Sequence, residues 1–296
     1  MFAERTGWDL APNALAKRLE QLRAAGAEIL DLTESNPTRV GLAYPADLLA
    51  PLADPGGLLY DPQPKGLLPA RQAVASLYAT KGAPVGPERV LLTASTSEAY
   101  SHLFRLLANP GDEILVPRPS YPLFGYLADL SDVKTVSYPL RLQGDRWRVD
   151  PEELNSAAGP RVRAVVVVHP NNPTGSALTA EEWTAIAELC LRRGLALISD
   201  EVFADYFREE AGGLPRTLLG GPAGEGPLTF ALGGLSKFLG LPQMKLGWIA
   251  CSGPPDLLAP ALERLELIAD TYLSLNTPVQ RALPAWLVLA PAVGGG

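Results

Sequence analysis

Apolar and polar positions near the start of the chain recur with a helical period. Leu15, Leu19 and Leu22 stand at nearly helical spacing, with charged side chains between them. This spacing puts the leucines on one face and predicts an amphipathic helix over residues 12–25. A second helix is predicted over residues 67–81, after a stretch rich in proline and glycine.

From residue 89 onwards, short apolar runs alternate with helical patterns. The β-branched run at residues 165–168 is typical of a strand that is buried on both faces. The predicted strands span residues 89–93, 113–117, 133–138, 163–168, 196–199, 228–232 and 246–251. The predicted helices that accompany them span residues 97–108, 123–130, 151–158, 179–193 and 255–271.

This alternation predicts an α/β fold in which a mostly parallel seven-stranded sheet is covered by helices. Open sheets of this kind bind ligands at the carboxyl ends of their strands. Polar residues that directly follow the predicted strands are therefore the candidate functional residues.

Composition and charge narrow the partners and the compartment. The 296 residues carry a net charge of −7, which argues against nucleic acid or an anionic membrane as a partner. The N-terminus has no apolar signal core, and no apolar run approaches the ~18 residues that a membrane span needs. These features predict a cytoplasmic protein. The two cysteines and two histidines have no metal-binding spacing, so no metal site is expected.

The first candidate motif, His169-Pro-Asn-Asn-Pro-Thr-Gly175, follows the strand predicted at residues 163–168. Two prolines and a glycine make a rigid turn, so the side chain of Asn172 has a defined direction. Its amide can donate to a phenolate oxygen or accept from a ring N–H. Because Asn-Pro forms turns in any context, the motif alone is equally an ordinary turn.

Two further motifs follow later strands. Asp200 ends an apolar stretch, where its carboxylate can face a ligand; the structural alternative is an N-cap for a segment that begins at Glu201. Lys237 stands in a loop of small residues between two strands. In an apolar pocket its pKa would fall and its free amine would be a nucleophile, whereas most lysines are simply solvated at the surface.

Taken together and in this order, the motifs around Asn172, Asp200 and Lys237 resemble those of class I/II aminotransferases, fold type I enzymes that use pyridoxal 5'-phosphate (PLP). The resemblance implies that Asn172 hydrogen-bonds the phenolic oxygen of PLP and that Asp200 pairs with its pyridine nitrogen. It implies that Lys237 forms the internal aldimine and moves the substrate's α-proton. The implied reaction moves an amino group between an amino acid and a 2-oxo acid.

Other segments extend the resemblance. Residues 93–99 are similar to the family's phosphate loop at a helix start, and Tyr121 resembles the ring that stacks on the pyridine. Tyr60 and residues 276–280 resemble segments at a dimer interface, so a homodimer is implied. The implied cofactor-binding residues are Ser95, Thr96, Ser97, Tyr121, Asn172, Asp200, Ser236, Lys237, Lys245 and, reaching the phosphate of the partner subunit, Tyr60. The implied substrate-binding residues are Ser35, Asn36 and Asn172.

The sequence departs from the family pattern at three positions near the cofactor. Lys245 stands where the family usually has an arginine, so the charge is kept but the bidentate geometry is lost. Gly234 replaces a serine that many members have. Phe203 replaces a tyrosine that often bonds the phenolic oxygen, which would leave Asn172 as the donor and the imine more basic. Tyr206 is the alternative donor, although its spacing differs.

The resemblance also divides the chain. Residues 1–40 correspond to an N-terminal segment of the small domain, 41–270 to the PLP-binding large domain, and 271–296 to an interdomain helix and the start of the C-terminal small domain. The family's small domain continues further and carries the arginine that binds the substrate's α-carboxylate. The resemblance therefore implies either a truncated chain or another group that binds the carboxylate.

Two alternatives to an aminotransferase stay open on the same motifs. Carbon–sulfur β-lyases share the fold and every motif quoted, and fold does not decide reaction type. The chain is also interpretable as a PLP-binding fragment without activity. A PLP-binding transcription regulator is disfavoured, because about 30 residues before Ser35 are too few for a DNA-binding domain and the chain is acidic.

Overall fold

The computed structural model describes residues 1–30, 36–206, 213–221 and 226–289. Its strands are β1 (Val90–Thr93), β2 (Glu113–Arg118), β3 (Lys134–Gln143), β4 (Arg146–Val149), β5 (Val162–Val168), β6 (Ala196–Asp200), β7 (Thr229–Gly234) and β8 (Gly247–Ser252). Its α-helices are α1 (Ala14–Ala24), α2 (Leu68–Thr80), α3 (Thr96–Leu107), α4 (Phe124–Asp129), α5 (Pro151–Ala157), α6 (Ala180–Arg193), α7 (Leu235–Phe238), α8 (Pro255–Tyr272) and α9 (Thr277–Val288).

The eight strands form one sheet in the order β1-β8-β7-β6-β5-β2-β3-β4. The strands β3, β2, β5, β6 and β7 are parallel to one another. Strand β8 is antiparallel to both of its neighbours, so β1 points the same way as the parallel strands. Strand β4 is antiparallel to β3 at the far edge. Six strands therefore end at the same edge of the sheet.

Helices cover both faces of the sheet, because the side chains of a strand alternate between the faces. Val166 and Val168 face a core that is built with α3, α4 and α8. Val165 and Val167 face the opposite core, built with α5 and α6. The helices α2 and α9 continue that second layer over β1, β7 and β8. Burial on both faces explains the uninterrupted apolar run in β5.

Local signals set the bounds of α6 and therefore the start of β6. Thr179 and Glu182 form a reciprocal capping box at the first turn, with hydrogen bonds of 2.8 and 3.2 Å. Gly194 ends the helix in the left-handed conformation, at a φ of 63°, which glycine adopts without a steric penalty. Strand β6 begins two residues later and reaches the site edge at Asp200.

The predicted mostly parallel sheet is confirmed, and the predicted helices that cover it agree with the structure to within one residue at each end, but the apolar pattern did not predict α7 and α9. Among the described residues the sheet has eight strands and not seven. Strand β4 was missed because its four residues include two arginines, which break the apolar pattern. It pairs with β3, which continues to Gln143 beyond the predicted end at residue 138. The helix predicted at residues 12–25 is present as α1, yet none of its residues is buried. No helix in the described ranges is both long and apolar enough to span a bilayer.

Candidate functional site

The candidate residues follow five of the six strands that end at one edge of the sheet. Strand pairing aligns Val168 with Asp200 and Asp200 with Leu232, so the segments that follow β5, β6 and β7 are neighbours. Gly247 at the start of β8 pairs with Thr93 on one side and with Gly234 on the other. The loops that carry Asn172, Lys237 and the start of α3 therefore converge, as the rule for open α/β sheets predicts.

Asp200 is a buried carboxylate at the end of β6. Its Oδ2 accepts a hydrogen bond of 2.9 Å from the hydroxyl of Tyr100, and its Oδ1 accepts one of 3.2 Å from the N–H of Val202. Burial raises the pKa of Asp200 to about 6, although both hydrogen bonds oppose the shift, and no cation among the described residues contributes to it. This buried carboxylate is therefore suited to bind a cationic group of a ligand in the site.

Tyr100 is a site residue that the sequence did not indicate. It lies in α3, four residues after Thr96, and its ring is buried in the core that α3 shares with α4. Burial and the neighbouring Asp200 together hold the pKa of its hydroxyl well above the usual value, so Tyr100 remains a donor. The sequence feature that could have indicated this role is a tyrosine on the apolar face of the helix that follows the predicted phosphate loop.

The start of α3 presents backbone N–H groups to the site. The Ser95 Oγ accepts from the N–H of Glu98 at 3.1 Å and so caps the helix, while Thr93 donates to the Ser95 carbonyl at 2.9 Å. Thr96 and Ser97 occupy the first turn, where helix N–H groups have no partner within the helix. Such a turn binds anions through these groups and the helix dipole.

Tyr121 follows β2 and lies half-buried between the helix start and Asp200. Burial raises the pKa of its hydroxyl, the charge of Asp200 acts in the same direction, and a hydrogen bond with Ser97 opposes both. Its ring meets Phe124 edge-on, with ring centroids 5.6 Å apart. The structure therefore brings Tyr121, Ser97 and Asp200 together.

Lys237 lies in α7, directly after β7, and its side chain is half-buried. Burial lowers the pKa of its amine below the ordinary value for lysine. The Nζ atom lies 5.8 Å from the centroid of the Phe203 ring. The carbonyl of Lys237 accepts a hydrogen bond of 2.9 Å from the Tyr206 hydroxyl. Tyr206 therefore binds the backbone of the lysine segment in this structure.

Asn172 is half-buried and lines an open cavity of about 760 Å³ together with Phe203 and Tyr206. Its neighbour Asn171 is buried and anchors the turn: the Asn171 amide donates to the Pro119 carbonyl at 3.1 Å, and its Oδ1 accepts from Ser120 at 3.0 Å. These bonds join the turn after β5 to the segment that carries Tyr121.

The family model for aminotransferase class I and II matches residues 30–292. The chain is a class I/II aminotransferase family member. Glutamate-pyruvate aminotransferase AlaA of Escherichia coli is 31% identical over 271 residues, which cover 90% of this chain and 65% of that protein. S-alkyl-thiohydroximate lyase SUR1 of Arabidopsis thaliana is 34% identical over 226 residues, covering 75% of this chain and 48% of that protein.

A solved structure agrees with the family. Alanine aminotransferase from Pyrococcus furiosus superimposes with a TM-score of 0.84 at 26% sequence identity, over 97% of this chain and 72% of that one. The chain thus spans about two thirds of the length of the Escherichia coli relative and nearly three quarters of the Pyrococcus structure.

Class I/II aminotransferases depend on PLP, and the described residues fit that cofactor. Asp200 supplies a buried carboxylate on which no cation acts within the described chain. Lys237 supplies an amine with a lowered pKa. The first turn of α3 supplies N–H groups for a phosphate. Gly247 has no side chain where a Cβ would lie 3.1 Å from the Ser95 carbonyl carbon, which lets β8 approach the helix start.

The structure shows the surroundings of the three positions at which this class I/II family member departs from the family pattern. A Cβ at Gly234 would lie 3.0 Å from the Leu246 carbonyl oxygen, so the serine common in the family would crowd the backbone here. Phe203 faces Lys237 with an apolar ring. Lys245 is exposed and has a φ of 52°, in the left-handed region after β7 and α7.

The remaining predicted residues are spread around the edge of the site. Ser236 is half-buried beside Lys237 in α7, whereas Tyr60 is 75% exposed. The Asn36 side chain accepts from the Thr38 N–H at 3.0 Å, so it caps the short helical turn at Pro37–Arg39. Ser35 lies outside the described residues.

Proposed function

We propose that this protein is a PLP-dependent aminotransferase that moves an amino group between an amino acid and a 2-oxo acid. The observation that carries the proposal is the buried Asp200, which lies at the same sheet edge as the Lys237 amine and lacks a cation among the described residues. PLP, when bound, supplies an electron sink with a ring nitrogen that is protonated in its active form.

Each of the three central residues has a defined task in this proposal. Asp200 holds the proton on the ring nitrogen, because an opposite charge in a buried site favours the protonated form. Asn172 donates to the phenolic oxygen. Lys237 would hold the cofactor through Nζ, and its amine would move the proton at the substrate's Cα; burial lowers the pKa of this amine, which favours the unprotonated form. Tyr121 would stack on the ring.

The phosphate would be bound by the first turn of α3. Ser95, Thr96 and Ser97 supply N–H and hydroxyl donors there, and Ser236 and Lys245 extend this donor set in our proposal. Lys245 contributes a point charge and not the paired N–H groups of an arginine, so we expect weaker phosphate retention than in relatives with arginine. Tyr60 would reach the phosphate of a second subunit.

The first substrate pair to assay is glutamate with pyruvate, because the Escherichia coli relative is a glutamate-pyruvate aminotransferase. In the proposal, Ser35, Asn36 and Asn172 are the residues that bind the substrate. A second candidate is a carbon–sulfur lyase, which the 34% identity to the Arabidopsis lyase favours. Formation of alanine from pyruvate only when an amino donor is present supports the aminotransferase, whereas ammonia and pyruvate released from cystathionine support the lyase.

We also propose a homodimer. Leu58, Leu59 and Tyr60 form a continuous exposed segment, with Leu58 92% exposed, and a contiguous apolar surface is typical of a protein–protein contact. Asn276, which caps α9, lies in the other segment that resembles a family interface. Leu58→Asp should yield monomers in sedimentation and lower PLP affinity, and a monomer with full turnover would contradict the shared site.

The division of the chain into domains is part of the proposal. The three cores are built from residues between Leu48 and Trp286, whereas α1 buries no residue. This contrast supports an N-terminal segment at 1–40 apart from the rest of the chain, which the proposal divides into a large domain at 41–270 and a segment at 271–296. In the proposal α9, which packs against α2, is the interdomain helix of the segment 271–296. Buried free thiols at Cys190 and Cys251 support a reducing, cytoplasmic location.

Borohydride reduction of the PLP-loaded protein, followed by peptide mass spectrometry, tests the central assignment. We expect the modified residue to be Lys237, and we expect Lys237→Ala to abolish both the adduct and the absorbance band of the attached cofactor. Lys134→Ala, which removes an exposed lysine of β3, serves as the control and should retain both. An unchanged band in Lys237→Ala would overturn the proposal.

A further inference from the structure

His169 is a fully buried residue that directly follows β5 and stands three positions before Asn172. Three of its polar groups bind backbone atoms. Its N–H donates to the carbonyl of Asp200 at 2.8 Å. Its Nδ1 accepts from the N–H of Leu178 at 3.1 Å. Its Nε2 lies 2.8 Å from the carbonyl oxygen of Pro215.

These partners assign one protonation form to the imidazole. The Leu178 N–H is a donor only, so Nδ1 must carry a lone pair; the Pro215 carbonyl is an acceptor only, so Nε2 must carry the hydrogen. His169 is therefore neutral, with its proton on Nε2. Burial favours the same form, because it lowers the pKa of His169. The imidazole ring therefore connects two backbone groups, the N–H of Leu178 and the carbonyl of Pro215, through its two nitrogen atoms.

One of these links closes the turn that carries Asn172. Leu178 stands nine residues after His169, so the Nδ1 bond joins the two ends of the segment 169–178. Within that segment the Asn171 amide donates to Thr174 Oγ1 at 2.9 Å. The direction of the Asn172 side chain thus depends on a segment whose ends are joined through an imidazole.

The other link joins the turn to a segment that also binds the end of β6. Glu201 is buried, and its Oε1 accepts from Ser199 Oγ, Thr217 Oγ1 and the N–H of Leu218, each at 2.9 Å. The segment Pro215–Leu218, here called the buttress segment, therefore bonds to His169 on one side and to Glu201 on the other. Glu201 directly follows Asp200, and His169 stands three positions before Asn172; Asp200 and Asn172 are the two residues that the proposed function assigns to the ring of PLP.

We propose that His169 is a positioning residue: through Leu178 and the buttress segment it fixes the Asn172 amide relative to the Asp200 carboxylate. This inference rests on the proposed function, because its consequence is the orientation of Asn172 toward the phenolic oxygen of PLP. His169 does not touch the cofactor in this scheme. It acts by holding the backbone segments that carry Asn172 and Asp200 in fixed positions relative to each other.

Two conservative substitutions separate the two links. His169→Asn keeps an acceptor near the Nδ1 position, and His169→Gln keeps a donor near the Nε2 position. His169→Phe keeps a ring but neither bond. His102→Phe is the matched control, because His102 is the other histidine of the chain, is buried in α3 and has no hydrogen-bond partner at Nδ1 among the described residues.

The variants are compared with the native protein by absorbance titration with PLP and by the pH midpoint of the bound cofactor's absorbance band. We expect His169→Phe to weaken PLP binding about tenfold, which is the effect of losing one hydrogen bond, that from Asn172 to the cofactor. We also expect the midpoint to shift upward, because the Asn172 amide is no longer oriented toward the phenolic oxygen. His169→Asn and His169→Gln should each recover part of the shift. His102→Phe should leave the midpoint unchanged.

The outcomes distinguish the inference from the function on which it rests. If the native protein forms no PLP band, the proposed function fails. If the native protein forms the band and His169→Phe has the native midpoint, or shifts it no more than His102→Phe does, the positioning role is overturned. If His169→Phe does not fold, the Asn and Gln variants decide: a native midpoint in both overturns the role, and a shift in either supports it.

Discussion

The hydroxyl of Tyr100 donates to Oδ2 of Asp200 across 2.9 Å inside the core that α3 shares with the sheet. This bond gives the buried carboxylate one neutral donor from the helix that also presents its first turn to the phosphate site. The phosphate and ring-nitrogen ends of the proposed PLP site are therefore joined by a single helix, α3.

Tyr100→Phe should destabilise the PLP-free protein in a pH-dependent way. A bond from a hydroxyl to a buried carboxylate contributes ~1.5–3 kcal/mol when the acceptor is charged and ~0.5–1.5 kcal/mol when it is neutral. The loss in the free energy of unfolding should therefore be larger above the pKa of Asp200, about 6, than below it. Urea titration at the two ends of this range measures the difference.

Tyr138→Phe is the matched control for that prediction. The Tyr138 hydroxyl donates to the Val166 carbonyl at 2.8 Å, and both groups are buried and neutral. Its removal should cost about 1 kcal/mol without a dependence on pH. Equal pH dependence in both variants would contradict the view that Tyr100 stabilises the charged form of Asp200.

Asp200→Asn should stabilise the PLP-free protein at high pH. The pKa of Asp200 is raised from 3.8 to about 6 in the fold, so the unfolded chain ionises first as the pH rises. The native state is then penalised progressively between these two values and fully above the higher one. The full penalty is on the order of 1–3 kcal/mol. The variant should be more stable than the native protein above the higher pKa and equally stable below the lower one.

Asp112→Asn should change the stability in the opposite direction and destabilise the protein at neutral pH. The reason is that the Arg163 guanidinium holds the pKa of Asp112 below its usual value. That stabilisation is present at neutral pH and is lost as the pH falls through the lowered pKa.

With PLP added, the native protein should gain more stability than Asp200→Asn, because only a carboxylate pairs with the protonated ring. An equal gain in both proteins would argue against Asp200 as the partner of the ring nitrogen.

Phe203→Tyr should lower the pH midpoint of the bound cofactor's absorbance band. The Phe203 ring faces the Lys237 amine at 5.8 Å, and a hydroxyl there would add a second donor beside Asn172. One added hydrogen bond of ~1 kcal/mol corresponds to a shift of about 0.7 pH unit. Phe238→Tyr adds a hydroxyl to a ring that meets Trp248 and should leave the midpoint unchanged. A midpoint that rises in Phe203→Tyr would exclude this role.

Gly233→Ala should destabilise the protein more than Gly234→Ala. A Cβ at Gly233 would lie 2.4 Å from the Trp248 Nε1, and that indole is buried against Tyr78 and Phe238. Overpacking of this kind costs ~1–3 kcal/mol. Gly125→Ala in α4, where no described atom outside the adjacent helix backbone lies within 4 Å of the added Cβ, should be neutral or stabilising. Denaturant titration of the three variants gives the order.

The sequence predicted the sheet and the site edge well, because both depend on local pattern. The apolar run of β5 marks a strand that is buried on both faces, and the turns after β5, β6 and β7 carry their polar residues in the chain itself. Strand β4 was missed because two of its four residues are arginines, and its existence depends on pairing with the extension of β3. The exposed α1 shows the converse, since an amphipathic pattern does not specify a partner surface.

The sequence by itself determined the family, the cofactor and the order of Asn172, Asp200 and Lys237, because residue identity and spacing carry those signals. Only the tertiary structure decided that Tyr100 is the donor to Asp200, that Tyr206 binds the Lys237 carbonyl and that His169 joins Leu178 to Pro215. The partners of these bonds stand 100, 31 and up to 46 positions apart along the chain. No local pattern encodes such distances, and the packing of helices and turns on the sheet sets them.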